Sequence, residues 1–299
     1  MVRMFKNGLV LGESPRWHDG RLWLADWGAG QILAVDLDGG SEVVLELSGM
    51  PVCFDWLPDG RLLVVSGREG LLLRREADGE LVVHADLTAL ADPPWNDIVV
   101  DGRGNAYVGA TGFDFPGGEF APGILALVSP DGQARQVAEG VAFPNGVAVT
   151  PDNGTLILAE SYGKRLTGYD IGADGSLSNR RVYCQIAPTV PLEQIAEDYS
   201  NVPYGPDGCT LDAEGCVWAG NSLGDWLGRF SPEGEVLDRI DAPEAGMATY
   251  AVQLGGIDGK TLLMCVAPDW RIGMGDSDRD ARASLWTVKV DGPHHGGRP

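Results

Sequence analysis

One phrase recurs along the chain and limits what it can fold into. It is clearest at residues 12–28, GESPRWHDGRLWLADWG: a polar residue, a short alternating strand, a turn ending in Gly, a second strand and another turn. It returns as CFDWLPDGRLLVVSG from Cys53, NDIVVDGRGNAYVGATG from Asn96, PNGVAVTPDNGTLILAESYG from Pro144 and PDGCTLDAEGCVWAGNS from Pro206. A looser copy, TYAVQLGGIDGKTLLMCVAP, starts at Thr249. Apolar alternation on both sides of an Asp-Gly or Asn-Gly turn specifies a β-hairpin. One such unit cannot bury its apolar face alone, whereas stacked copies can.

In the first copy the hairpin is followed by Gln31 to Leu37 and Ser41 to Leu47, which alternate in the same way and are separated by Asp38-Gly39-Gly40. Four antiparallel strands in roughly 36 residues is the size of a propeller blade. Six copies therefore predict an all-β, six-bladed β-propeller with four antiparallel strands per blade. A chain of 299 residues could form two domains. Periodicity argues instead for one, spanning 1–292, followed by a flexible tail at 293–299. The last copy offers only three strands, near Thr249 to Leu254, Thr261 to Val266 and Ser284 to Val290. The unassigned Val2 to Val10 is expected to supply its outer strand, closing the ring and removing two exposed sheet edges.

Charge narrows the partners. A formal charge of -21, with no Lys/Arg stripe, repels nucleic-acid backbones and anionic membrane surfaces. No apolar run approaches the length of a membrane span, and the N-terminus lacks a secretory pattern. The expectation is a cytoplasmic protein, monomer or small homo-oligomer, that handles a small molecule. The five Cys have no metal-ligand spacing and are expected to be buried, reduced thiols.

Loop lengths give the blades a polarity. Turns after first and third strands are short, as at Asp19-Gly20, Asp78-Gly79 and Asp174-Gly175. The long insertions Leu87 to Trp95, Phe113 to Gly123, Pro188 to Tyr204 and Pro268 to Arg282 all fall at the other ends of the strands. Binding residues belong among the long loops. Within one of them, PLEQIAEDYSN is expected to form a short helix, a candidate lid.

The first residue of each first strand lies on that decorated face. These residues are Glu13, Cys53, Asn96, Asn145, Asp207 and either Thr249 or Tyr250. Singly, an Asp, Asn or Glu beside Gly or Pro is usually a turn former. Four oxygen donors gathered near one axis would repel or stay unsatisfied without a positive charge among them. A divalent cation meets that need. Oxygen ligands without His or thiolate favour Ca2+, leaving Mg2+ and Mn2+ as alternatives and Zn2+ as a poorer match.

The stretches GESPRWHDGRLWLADWGAGQILAVDLDG, FPNGVAVTPDNGTLILAES and GPDGCTLDAEGCVWAG resemble, in family order, those of the senescence marker protein, gluconolactonase and regucalcin family of six-bladed propellers. The resemblance implies a lactonase holding one divalent metal on Glu13, Asn145 and Asp207. It also places Asn96 beside metal or substrate and makes Asp207 the general base, with Glu160 on the rim as the alternative. Sugar lactonases of the family usually carry an Arg two residues before this Asn, where the chain has Pro94, followed by Trp95. Loss of that donor fork points to a less hydroxylated, more apolar or aromatic substrate, lined by Trp95, Phe143, Tyr162 and Trp270. The resulting expectation is a metal-dependent carboxylic-ester hydrolase that opens a lactone. The alternatives are a metal-dependent isomerase or lyase acting through an enol, and a non-enzymatic Ca2+-binding propeller.

Overall fold

A computed structural model describes residues 1–115, 117–195, 204–268 and 282–294. The chain is all-β. After β1 (Arg3–Leu9) come β2 (Gly12–His18), β3 (Arg21–Asp26), β4 (Gln31–Val35) and β5 (Ser41–Glu46). The second group is β6 (Val52–Trp56), β7 (Leu62–Ser66), β8 (Leu71–Arg75) and β9 (Leu81–Asp86). The third is β10 (Trp95–Val100), β11 (Ala106–Ala110), β12 (Gly123–Val128) and β13 (Ala134–Val141), and the fourth β14 (Pro144–Val149), β15 (Thr155–Glu160), β16 (Arg165–Ile171) and β17 (Leu177–Gln185). The chain continues with β18 (Pro206–Leu211), β19 (Val217–Asn221), β20 (Trp226–Phe230) and β21 (Val236–Asp241), then β22 (Met247–Gly255), β23 (Thr261–Pro268) and β24 (Ala283–Lys289).

The strands divide between two compact units. One is continuous, residues 49–202, and holds the three meanders β6–β9, β10–β13 and β14–β17. First strands β6 and β10 are buried throughout and β14 is buried except at half-buried Asn145, while β13 and β17 are mostly exposed or half-buried. Val99, Tyr107, Leu125, Leu127, Val147, Leu156 and Leu158 form a core between the third and fourth meanders, and Tyr169 joins them. Alternation therefore does what the sequence implied, sending every second side chain into a sheet-to-sheet seam.

The other unit joins residues 1–48 to 203–299. It contains the meander β2–β5 and an eight-stranded sheet. Within that sheet β18–β21 is one meander and β22–β23–β24–β1 another, connected through the single pairing of Asn221 with Thr249. Sheets thus number four of four strands and one of eight, rather than six separate ones. One bridge accounts for the difference. The N-terminal strand takes its expected place, with β1 antiparallel to β24 from Arg3 opposite Thr287 to Leu9 opposite Ala283.

Turns behave as the Asp-Gly signals require. Gly20 adopts φ 75°, which a side chain would resist, and in the fourth meander Asn153 takes the left-handed position at φ 57° instead. All five Cys are free and buried. Of the anticipated helix, only Leu192–Gln194 forms a short 3-10 turn, and residues 196–203 lie outside the described residues. At the C-terminus Pro293 and His294 are held by hydrogen bonds to Ala213 and Gly259, so the first two residues of the expected tail are fixed. No described helix is long and apolar enough to cross a membrane.

Candidate active site

The candidate oxygen donors share a backbone device that the sequence did not announce. In β2, Glu13 pairs with Ala25 and Arg16 with Trp23, so Ser14 and Pro15 face a single residue of β3. In β10 the pairs are Trp95 with Ala110 and Ile98 with Val108, leaving Asn96 and Asp97 against Gly109. Asn145 and Gly146 are the corresponding extra pair in β14, and Asp207 and Gly208 in β18. Such β-bulges re-aim side chains at the ends of strands. The β6–β7 ladder, which carries Cys53 in the same position, is regular. In β22 a further bulge falls at Tyr250, between Thr249 and Ala251. Five first strands thus carry the device, with Glu13 beside its bulge and Asn96, Asn145 and Asp207 within theirs, and the strand with the thiol lacks it.

In the unit built from 1–48 and 203–299, Glu13 and Asp207 come from β2 and β18, both packed against β22. Their side chains belong to residues only 7% and 4% exposed. Glu13 Oε2 accepts the Ser14 N–H at 3.1 Å, and Asp207 Oδ1 accepts the Gly208 N–H at 2.9 Å. Ser14 holds a left-handed φ of 48°, strain located next to the carboxylate it orients. Behind Glu13, burial and then the charges of Glu13 and Asp26 push the Cys265 thiol well above its ordinary range, which keeps it a neutral packing group. Asp26 itself is structural, accepting N–H bonds from Val10 and Leu11.

In the 49–202 unit, Asn96 is buried and its Nδ2 reaches Pro144 O at 3.5 Å, bringing it to the strand that carries Asn145. Asn145 Nδ2 donates to Ser161 Oγ at 3.1 Å, which turns the amide oxygen away from Ser161. Asp97, which sequence reading passed over, is a buried carboxylate in the same bulge as Asn96 and accepts the Ile98 N–H at 2.8 Å. A second acidic residue beside a marker Asn was the available signal.

Aromatic rings gather near Asn145. Phe143 stacks on Tyr162 at 5.1 Å and 13°, Tyr162 stacks on Phe120 at 5.5 Å and 18°, and Phe113 touches all three. Phe115 packs edge-on against Phe143. Phe143 has φ 63°, an outlier for a bulky residue. Burial raises the Tyr162 phenol pKa above its ordinary value, so it stays protonated.

Three candidates fall elsewhere. Glu160 is not on a rim: it is wholly buried and bonded to Arg165, Arg180, Thr167 and the Ala142 N–H. Desolvation opposes its charge, but the Arg165 hydrogen bonds and charge outweigh it and hold the carboxyl below the ordinary range. Trp95 is also wholly buried, with its ring at Gly70, a place for packing rather than for touching a ligand. Trp270 lies outside the described residues.

The donor chemistry fits a hard cation. Among the described residues no three His, Cys, Asp or Glu converge in a metal-binding cluster. Within each unit the donors are carboxylate or carboxamide oxygens, a type suited to Ca2+ more than to Zn2+.

Residues 11–268 match the model of the SMP-30/gluconolactonase/LRE-like region. The chain belongs to this family. Its relatives include a pentonolactonase from Haloferax volcanii, 26% identical over 97% of this chain and 94% of the relative. Another is a 6-deoxy-6-sulfogluconolactonase from Pseudomonas putida, 28% identical over 95% and 92%. A solved structure of regucalcin, a calcium-binding protein from Agrobacterium tumefaciens, matches with a TM-score of 0.78 at 20% identity, over 100% of this chain and 96% of that one. That likeness identifies the fold as a β-propeller.

Proposed function

We propose that this protein is a divalent-cation-dependent lactonase, with Glu13, Asn145 and Asp207 as cation ligands, Ca2+ as the favoured ion, and Asn96 with Asp97 on the substrate side. The eight-stranded sheet then counts as two blades joined by a bridge, six in all. The observation that carries the reading is that Glu13, Asn96, Asn145 and Asp207 each lie in or beside a bulge at the start of a first strand, a device that β22 shares at Tyr250 and that only the ladder at Cys53 lacks. Membership in a family whose relatives include a pentonolactonase and a 6-deoxy-6-sulfogluconolactonase supports lactone opening as the reaction.

A bound divalent cation would supply Lewis-acid stabilisation of charge growing on the ester oxygen. Asp207 accepts the proton of the attacking water. Its Oδ1 is fixed by the Gly208 N–H at 2.9 Å, which holds the carboxylate in one orientation for that transfer. Glu160 is unsuited to that task, because two guanidinium groups already hold its charge. Asn96 and Asp97 orient the substrate from β10. Phe143, two residues before Asn145, and Tyr162, stacked on it from the turn after β15, are buried and cover one another, so the preference for an apolar or aromatic lactone rests on the absence of a donor fork at Pro94.

The test uses Ca2+-loaded protein, a chelator-stripped sample and Asp207→Asn, each checked for fold by circular dichroism. They are assayed on a pentonolactone and on dihydrocoumarin. Turnover lost on stripping and in Asp207→Asn supports the reading, with dihydrocoumarin the better substrate. Full turnover in either sample overturns it.

A further inference from the structure

The fully buried Glu160 has no part in proton transfer, yet it is the most heavily bonded side chain near Asn145. Its Oε1 receives Arg165 Nε at 3.1 Å, Arg180 Nη2 at 3.0 Å and the Thr167 hydroxyl. Its Oε2 receives Arg165 Nη2 at 3.0 Å and the Ala142 N–H at 2.9 Å. Arg180 also donates Nη1 to Glu139 O at 3.0 Å and Nη2 to Gly140 O at 3.1 Å. Glu160 and Arg180 together therefore grip the main chain at residues 139 and 140, the end of β13, and at 142, in the connection to β14.

That connection is strained. Phe143 has φ 63°, and its N–H bonds back to Val141 O at 3.0 Å, while Gly140, at the same φ in β13, bends there without steric cost. A left-handed backbone on a bulky residue costs on the order of 1–3 kcal/mol and persists only where its surroundings over-determine it. The neighbours that do so all lie at the end of β15. The Ser161 N–H donates to Phe143 O and the Tyr162 N–H to Ala142 O, each at 3.1 Å, while Glu160 is the strand partner of Pro144. Asn145 follows in the bulge, its amide tied to Ser161 Oγ.

We infer that Glu160 is a positioning residue, fixing the 139–143 turn through the Ala142 N–H and so setting the direction in which Asn145 presents its amide oxygen to a divalent cation. The inference rests on Asn145 being a cation ligand. It assigns the buried Glu160–Arg165–Arg180 group a role in ion affinity beyond its contribution to stability. A neutral Gln at 160 retains the shape but loses the charge that draws in both guanidinium groups, and the turn is free to relax toward ordinary φ values.

The experiment is calorimetric titration of Ca2+ into wild-type protein, Glu160→Gln, Arg180→Met and Asn145→Ala, well below the lowest melting temperature. Supporting residues behind metal ligands typically change affinity about 10–100-fold, and Glu160→Gln is expected to weaken Ca2+ binding by about tenfold on that basis. Arg180→Met should weaken it less. A merely structural role lowers the melting temperature and leaves the affinity of the folded protein unchanged. If Asn145→Ala weakens binding while Glu160→Gln and Arg180→Met bind as wild type does, the positioning role is overturned and the cation reading stands. If Asn145→Ala itself binds normally, both are overturned. Should Glu160→Gln fail to fold, Arg180→Met decides, because Arg180 lies on the outer strand and is partly exposed.

Discussion

Replacing Gly208 with Ala tests the bulge at Asp207 by steric means alone. A Cβ at 208 would lie 2.4 Å from Ala251 Cβ and 2.8 Å from Ala251 Cα. Carbon atoms do not approach so closely, and the obstacle is backbone of β22 rather than a flexible side-chain tip, so β18 must move by about 1 Å. Overpacking of this kind costs about 1–3 kcal/mol, which for a chain of this size is a melting-temperature drop of about 2–6 °C. The same displacement falls on the carboxylate one residue earlier. Misplacing a reacting group by about 1 Å costs roughly a hundredfold in rate. Gly117→Ala is the control, since nothing lies within 4 Å of a Cβ there and the residue has no left-handed φ. Differential scanning calorimetry and lactone turnover are measured on both variants. A Gly208→Ala protein that melts and turns over like wild type would refute the claim that the β18 bulge fixes Asp207.

Removing the ion should be visible without substrate: Ca2+ at a hundredfold excess over Kd adds about 2.7 kcal/mol to stability, read as a melting shift lost on chelation. The Glu160 carboxyl titrates below its ordinary 4.5 in the folded protein, so its contribution to stability is present above that pH and disappears as pH falls through the folded value. Urea midpoints between pH 6 and 3 should therefore fall less steeply for Glu160→Gln than for wild type. Phe113→Ala removes the ring at the centre of the aromatic group and is expected to cost about 3–5 kcal/mol, measured by urea titration. Ellman's reagent should find no reactive thiol in native protein and five after denaturation, because every Cys is buried.

Much of this fold is legible because its signals are local. Period-two alternation marks strands, and an Asp-Gly turn fixes which strand pairs with which. The sites of Glu13, Asn96, Asn145 and Asp207 followed from counting back along the first strands. Their bulges did not, because a bulge is a mismatch in length between two strands, and WNDIVV reads equally well with or without one. Asp97 was missed for that reason: in a regular ladder it would face away from Asn96. Glu160 was misplaced by a similar gap. Its strand partner is Arg165, and Arg180 comes from the next strand but one. Counting residues across the Tyr162–Gly163 turn would have paired the carboxylate with the first of these, turning an expected rim acid into half of a buried ion pair.

The antiparallel match of β1 with β24 bears on how the protein is made. Leu9 faces Ala283, so a strand synthesised near the start waits for one synthesised near the end. The 49–202 unit is continuous and can complete its sheets while translation proceeds, whereas the unit built from 1–48 and 203–299 cannot. During that interval β1 and the rest of its unit depend on protection from other chains, since an unpaired strand edge is a template for aggregation. Heterologous expression should respond more to slowed initiation and chaperone supply than to surface mutation. A circular permutant linking residue 294 to residue 1, and opened at the 48–49 junction, would make β24 and β1 neighbours in time as well as in space.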